Sequence, residues 1–114
     1  MKLLVFGGRD FHDRDFVFAT LDRVHAKHPV SVLIEGEADG ADKLAGEWAD
    51  SRGVHCARVR ALWEVHGRAA GPKRNEAMRD LDPDYAVAFP GGRGTAHMAR
   101  LLDSAGVVVW EPKP

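Results

Sequence analysis

The chain has 114 residues, 45% of them hydrophobic and 29% charged, with a formal net charge of −1. That is the size and make-up of one domain, and the near-neutral balance weighs against a duplex-DNA binder, whose affinity comes from neutralising phosphates. The single cysteine, Cys56, excludes an intrachain disulfide and a cysteine-based zinc cluster, and no apolar run approaches the ~20 residues of a membrane span.

The expected elements alternate between strands and helices. Lys2 to Phe6 reads as a strand; it is too short for the apolar region of a signal peptide and runs straight into Gly7-Gly8. The expected compartment is therefore the cytoplasm. Val17, Leu21 and Val24 recur at helical spacing behind Asp13, a cap residue. Pro29 ends that helix, and Val30 to Ile34 is the second strand. Ala41, Leu44, Ala45, Trp48 and Ala49 form a helical stripe closed by Gly53. Val54 to Val59 is a weaker third strand, and Trp63 and His66 fall on the loop after it. Asn75, Met78 and Leu81 predict a short helix after Gly71-Pro72. Tyr85 to Phe89 is the fourth strand. Met98, Leu101, Leu102 and Ala105 form the last helix, stopped by Gly106, and Val107 to Trp110 is the fifth strand; the tail from Glu111 to Pro114 is expected to fray. Short apolar strands alternating with helices predict a single α/β domain, a five-stranded parallel sheet with helices on both faces. In open sheets of this kind ligands bind beyond the strands' carboxyl ends. Glycines follow three of those ends: Gly7-Gly8, then Gly36 and Gly40, then Gly91-Gly92 and Gly94.

The most informative segment is Phe89-Pro90-Gly91-Gly92-Arg93-Gly94-Thr95. A strand ends, three glycines turn the chain and a helix begins. Bare amides at a helix N-terminus attract an anion, and glycine admits a phosphate closely. Thr95 adds a hydroxyl or caps the helix. Gly7-Gly8-Arg9-Asp10 has neither the dinucleotide G-x-G-x-x-G spacing nor a P-loop, so Arg9 is a phosphate contact or a carboxylate's partner. In Glu35-Gly36-Glu37-Ala38-Asp39-Gly40-Ala41-Asp42, two readings of Asp39 and Asp42 stand side by side: helix-start chemistry, and a carboxylate on a ribose hydroxyl. No metal site is expected, because His12, Asp13 and Asp15 open a helix where acidic residues belong, and no cofactor is called for. Arg68, Lys73, Arg74 and Arg79 form a short basic cluster. Among them Arg74, beside Asn75, can fork two hydrogen bonds to a phosphate or carboxylate. Trp63 could stack on a base, although a core tryptophan is commoner. His66 and His97 are general-base candidates by type alone.

These ordered motifs resemble the YspA branch of the YpsA-related SLOG superfamily, found in bacteria and their phages. Relatives include the Lonely Guy phosphoribohydrolases and the Rossmann-like domain of the DNA-processing protein DprA. The resemblance implies a Rossmann-like fold that binds nucleotides or nucleotide-derived ligands. The nucleotide-binding set is then Gly7, Gly8, Arg9, Gly36, Asp39, Gly40, Asp42, Arg74, Asn75, Gly91, Gly92, Gly94 and Thr95. Lonely Guy enzymes carry Pro-Gly-Gly-x-Gly-Thr-x-x-Glu and an upstream arginine. The arginine matches Arg74, but the glutamate position is Met98. His97 precedes it, and adjacent helix residues point about 100° apart, so His97 is not expected to substitute.

The first expectation is therefore a module that binds or senses a nucleotide. The second is a hydrolase cleaving an N-glycosidic or phosphate bond, with Glu35, Asp39, Asp42 or His97 replacing the lost acid. The third is DprA-like binding of single-stranded DNA. A homodimer is also expected, through a face that includes Trp48 and the helix after Thr95.

Overall fold

The computed structural model describes residues 1–114. It is an α/β domain with five parallel strands: β1 (Lys2–Phe6), β2 (Val32–Glu35), β3 (His55–Arg58), β4 (Tyr85–Ala88) and β5 (Val109–Trp110). They lie in the order β3-β2-β1-β4-β5, so β1 is central, with Leu4 registered against Ile34 on one side and Ala86 on the other. The helices are α1 (Arg14–Lys27), α2 (Ala41–Arg52), the one-turn α3 (Trp63–His66), α4 (Ala70–Arg79) and α5 (Arg93–Ser104), with a 3₁₀ turn at Gly67–Ala69. No helix is long and apolar enough to cross a membrane.

The alternation of side chains along a strand explains the layers. Leu3 and Val5 of β1 join Val17 and Leu21 of α1 and Ala45 and Trp48 of α2 in a core of 14 buried residues on one face. Leu4 and Phe6 join Met78 of α4 and Met98 and Leu102 of α5 in a core of 8 on the other. Both faces of β1 are covered, which is why it reads as an unbroken apolar run.

The ends follow local chemistry. Asp13 caps α1, its carboxylate accepting the Phe16 N–H at 3.2 Å. Gly53 closes α2 at φ 68°, ψ 26°, a left-handed conformation that glycine adopts without a Cβ clash.

Several expectations are corrected. Trp63 and His66 lie on α3, not on a loop. Helix α4 begins at Ala70 and takes in Gly71-Pro72, because proline in a first turn has no helical donor to lose. It stops before Leu81, which is 42% exposed. Strands β2 and β5 start two residues later than the apolar runs do. Trp48 cannot form a docking face: it is wholly buried in the first core, with its indole N–H donated to Asp22 at 2.8 Å.

Candidate functional site

The loops after β1 and β4 diverge to opposite faces of the sheet, since α1 packs with α2 and α5 with α4. At that divergence the Gly8 N–H donates to the Pro90 carbonyl at 2.8 Å. A cleft of about 610 Å³ opens there, at the topological switch point where an open parallel sheet offers a crevice.

Nine of the thirteen expected residues line it: Gly7, Gly8, Arg9, Asp42, Arg74, Asn75, Gly92, Gly94 and Thr95. Gly36 and Asp39 instead line a neighbouring hollow of about 360 Å³, whose wall shares Arg9, Ala38, Trp63 and Arg74 with the cleft. Gly40 and Gly91 line neither; they let backbone segments meet. A Cβ on Gly40 would run into the Gly8 and Arg9 carbonyls, and one on Gly91 would sit 2.7 Å from the Gly8 nitrogen.

The remaining glycines divide by what surrounds them. A Cβ on Gly7 would lie 2.8 Å from the Ala41 Cβ, and one on Gly8 2.7 Å from the Pro90 oxygen, so both are required by packing. Around Gly92 and Gly94 a Cβ would meet nothing within 4 Å. Both have negative or helical backbone angles, so neither packing nor a left-handed turn requires glycine there. What they leave bare is the N-terminus of α5, which has no side-chain cap and no acidic residue in its first turn. Thr95 is the third residue of that helix rather than its cap.

On the facing helix, Arg74 donates from Nη1 to the Gly36 carbonyl at 2.5 Å and from Nε to Asn75 Oδ1 at 3.1 Å. Part of the expected fork is thus already engaged within the protein. Asn75 is 5% exposed; its amide nitrogen lies 3.4 Å from the Gly94 carbonyl and 3.1 Å from His97 Nδ1, which locks α4 to the start of α5. His97 and Met98 both line the cleft. The 100° between them therefore does not remove His97 from it. Met98 is 1% exposed and belongs to the second core.

The carboxylates separate clearly. Asp42, in the first turn of α2, is 4% exposed; Oδ2 accepts the Ala38 N–H at 3.2 Å, while Oδ1 has no partner. Burial pushes its carboxyl up to about 6, against the pull of the Ala38 amide, Arg74, the Gly36 amide and Arg9. Asp39 lies on the surface, paired with Lys43 at 3.0 Å. Glu35, another candidate for the missing acid, does not reach the cleft. It lies under α2 in a small hollow with Gly46, Asp50 and Arg58, accepts the Glu37 N–H at 2.6 Å, and is pushed by burial up to about 7.

Four arginines line the cleft, Arg9, Arg74, Arg93 and Arg100, against the one carboxylate of Asp42. None of the four forms an ion pair; the chain's pairs use Arg14, Lys43, Arg52, Arg58, Arg60 and Arg79. Arg93 and Arg100 were missed from sequence. Their signal is the spacing of Arg93, His97 and Arg100, one face of α5. Of the basic cluster at 68–79, only Arg74 takes part. Trp63 is not a core residue: it is 47% exposed on the cleft wall, with the Arg9 guanidinium 5.4 Å from its ring centroid.

A profile of the YspA, cpYpsA-related SLOG family matches residues 1–66. The chain belongs to that family. Within this SLOG chain the match takes in β1 to β3, the two glycine loops after β1 and β2, and Asp42 and Trp63. The Gene 61 protein of Mycobacterium phage D29 is 37% identical over 116 residues, spanning 95% of the SLOG chain and 93% of the phage protein. That likeness extends through α4 and the loop after β4, which complete the cleft.

Proposed function

We propose that the cleft binds a nucleotide or nucleotide-derived phosphate compound, with its phosphate at the N-terminus of α5. The observation that carries this reading is the pair Gly92 and Gly94, bare without a packing reason, at an uncapped helix start ringed by unpaired arginines. A helix N-terminus offers free N–H groups and the positive end of its dipole, and phosphate supplies the complementary charge. The positive Arg93 in that first turn is unfavourable beside the dipole until an anion arrives. Trp63 provides a flat apolar face for a base, and the family's nucleotide-related Rossmann-like fold supports the same ligand class. Isothermal titration with nucleoside 5′-monophosphates tests the reading. Saturable binding that weakens with salt is expected; no binding at millimolar ligand would end it.

A second reading is favoured by Asp42, a buried carboxyl with its proton affinity raised, facing a cleft whose other charged groups are four arginines. Such a group is suited to acid–base work on a glycosidic bond. Free base appearing in an incubation with a 5′-monophosphate, and lost in Asp42→Asn, would establish that hydrolase.

A further inference from the structure

Asp42 Oδ1 is the only buried side-chain nitrogen or oxygen without a hydrogen-bond partner. An acceptor held out of water with no donor is costly, and one on the wall of an open cleft calls for an ordered water or a ligand group that replaces it. The nearby donors do not fill the role: the Gly36 N–H acts on the Asp42 carboxyl without reaching hydrogen-bond geometry to Oδ1, Arg74 is held to the Gly36 carbonyl and Asn75 through Nη1 and Nε and makes no bond to Oδ1, and Arg9 lies over Trp63. The other charged groups of the cleft, Arg9, Arg74, Arg93 and Arg100, are all donors. The occupant must therefore be anionic at one end and carry a neutral hydrogen-bond donor elsewhere.

The position of Asp42 says which donor. Its neighbour Ala41 donates its N–H to the Gly8 carbonyl at 3.2 Å, and Gly8 donates to Pro90 beside the α5 start. Asp42 is thus two backbone contacts from the anion end, and Trp63 borders both the cleft and the hollow beyond. A phosphate, a sugar and a base follow one another in the same order along a nucleotide.

Resting on the nucleotide reading above, we propose that Asp42 Oδ1 accepts a hydrogen bond from a ribose hydroxyl, so that the cleft selects ribonucleotides over their deoxy forms. The probes are adenosine, guanosine, cytidine and uridine 5′-monophosphates with their 2′-deoxy and 3′-deoxy forms, and ribose 5-phosphate against 2-deoxyribose 5-phosphate. They are titrated into wild type and into Asp42→Asn, which keeps an oxygen for Ala38 and places an amide nitrogen at the orphan position. A hydrogen bond to a charged acceptor corresponds to about tenfold in affinity. Wild type is expected to prefer a ribo form by about that factor over at least one deoxy form, with or without the base. Asp42→Asn is expected to lose the preference, with ribo and deoxy forms binding alike. Equal binding of ribo and deoxy forms by wild type, or a preference that survives in Asp42→Asn, overturns the assignment and leaves the phosphate site standing. A 2′-hydroxyl preference seen with nucleotides but absent between ribose 5-phosphate and 2-deoxyribose 5-phosphate overturns it, since the discrimination then comes from the nucleotide's conformation and not from a bond to the hydroxyl. Failure of every probe to bind overturns the nucleotide reading and the assignment together.

Discussion

The Arg74 guanidinium donates to the Gly36 carbonyl oxygen at 2.5 Å, tying α4 to the loop after β2. The contact explains the glycine as well as the arginine: a Cβ on Gly36 would stand 2.7 Å from Nη1. Removing the side chain therefore has two effects. Arg74→Ala is expected to weaken binding of a nucleoside monophosphate by about ten- to a hundredfold, the worth of a charge-assisted contact. It is also expected to cost roughly 1–2 kcal/mol of stability, because the Gly36 carbonyl loses its donor. Arg74→Lys recovers part of the binding, since an ammonium lacks the planar fork. Titration calorimetry and urea unfolding check the two effects; wild-type affinity in Arg74→Ala would remove Arg74 from the site.

Gly94 separates folding from binding. It is helical, and a methyl group there meets nothing within 4 Å. Gly94→Ala is expected to leave the protein as stable as wild type or up to about 1 kcal/mol more stable, from helix propensity alone. The same methyl stands where the phosphate is proposed to approach the amides, so affinity should fall by at least about tenfold. Gly8→Ala should do the reverse first, destabilising the fold by forcing Pro90 away. A Gly94→Ala protein that binds as wild type does would place the anion elsewhere.

Trp63 is exposed, whereas Trp48 is wholly buried. Quenching of Trp63 emission is expected when a base-bearing ligand binds, and little change with ribose 5-phosphate. Trp63→Ala should weaken nucleotides by about tenfold, the scale of a base-stacking contact, and base-free phosphates hardly at all. Equal losses for both ligand types would make Trp63 a structural wall.

Glu35 predicts a pH dependence of stability. Burial raises its carboxyl from 4.5 to about 7 in the fold. The folded state therefore holds the proton more tightly than the unfolded chain, so this group's contribution is most favourable below pH 4.5. It is lost as pH rises through 4.5 to 7. Asp42 acts in the same sense between 3.8 and about 6. Glu35→Gln keeps an acceptor for the Glu37 amide and removes the titration. It should match wild type near pH 4 and exceed it at pH 8 by on the order of 1–3 kcal/mol. Parallel stability curves for the two proteins from pH 4 to 8 would show that Glu35 is not strained by burial.

Wild type is expected to release no free base from 5′-monophosphates, because the thioether of Met98 stands where the motif resemblance puts the Lonely Guy glutamate. Chromatography of the incubated mixture reads this directly. Met98→Glu does not simply restore the acid, since Met98 packs with Leu4, Phe6 and Met78. A carboxylate there should lower the melting temperature sharply. Release by wild type would promote the hydrolase reading, with Asp42→Asn identifying its acid.

The strands and helices were legible because both signals are periodic, and a two-sided parallel sheet writes its centre as plain apolar runs such as Leu3 to Phe6. The glycine loops were legible because the strand pattern alone sends them to one edge. What periodicity does not carry is depth. Asp39 and Asp42 look alike in sequence, yet one pairs with Lys43 in solvent and the other is sealed beneath the Ala38 amide. The same limit misplaced Trp48 and Trp63, each read against its true exposure. Gly92 and Gly91 are likewise adjacent and identical, and only the surroundings reveal that one meets backbone and the other open space.

The sheet order also governs how the chain comes together during synthesis. Strand β1 leaves the ribosome first and gains β2 about thirty residues later, but its other neighbour begins at Tyr85. Until then one edge of the most central strand is unpaired, a template for a stray strand from another chain. The Gly8–Pro90 bond and the α5 amides come later still. A nascent chain can thus carry three of its five strands and none of the loop proposed to hold the anion, and a phosphate ligand at that loop would act only on a chain whose sheet has already closed around β1.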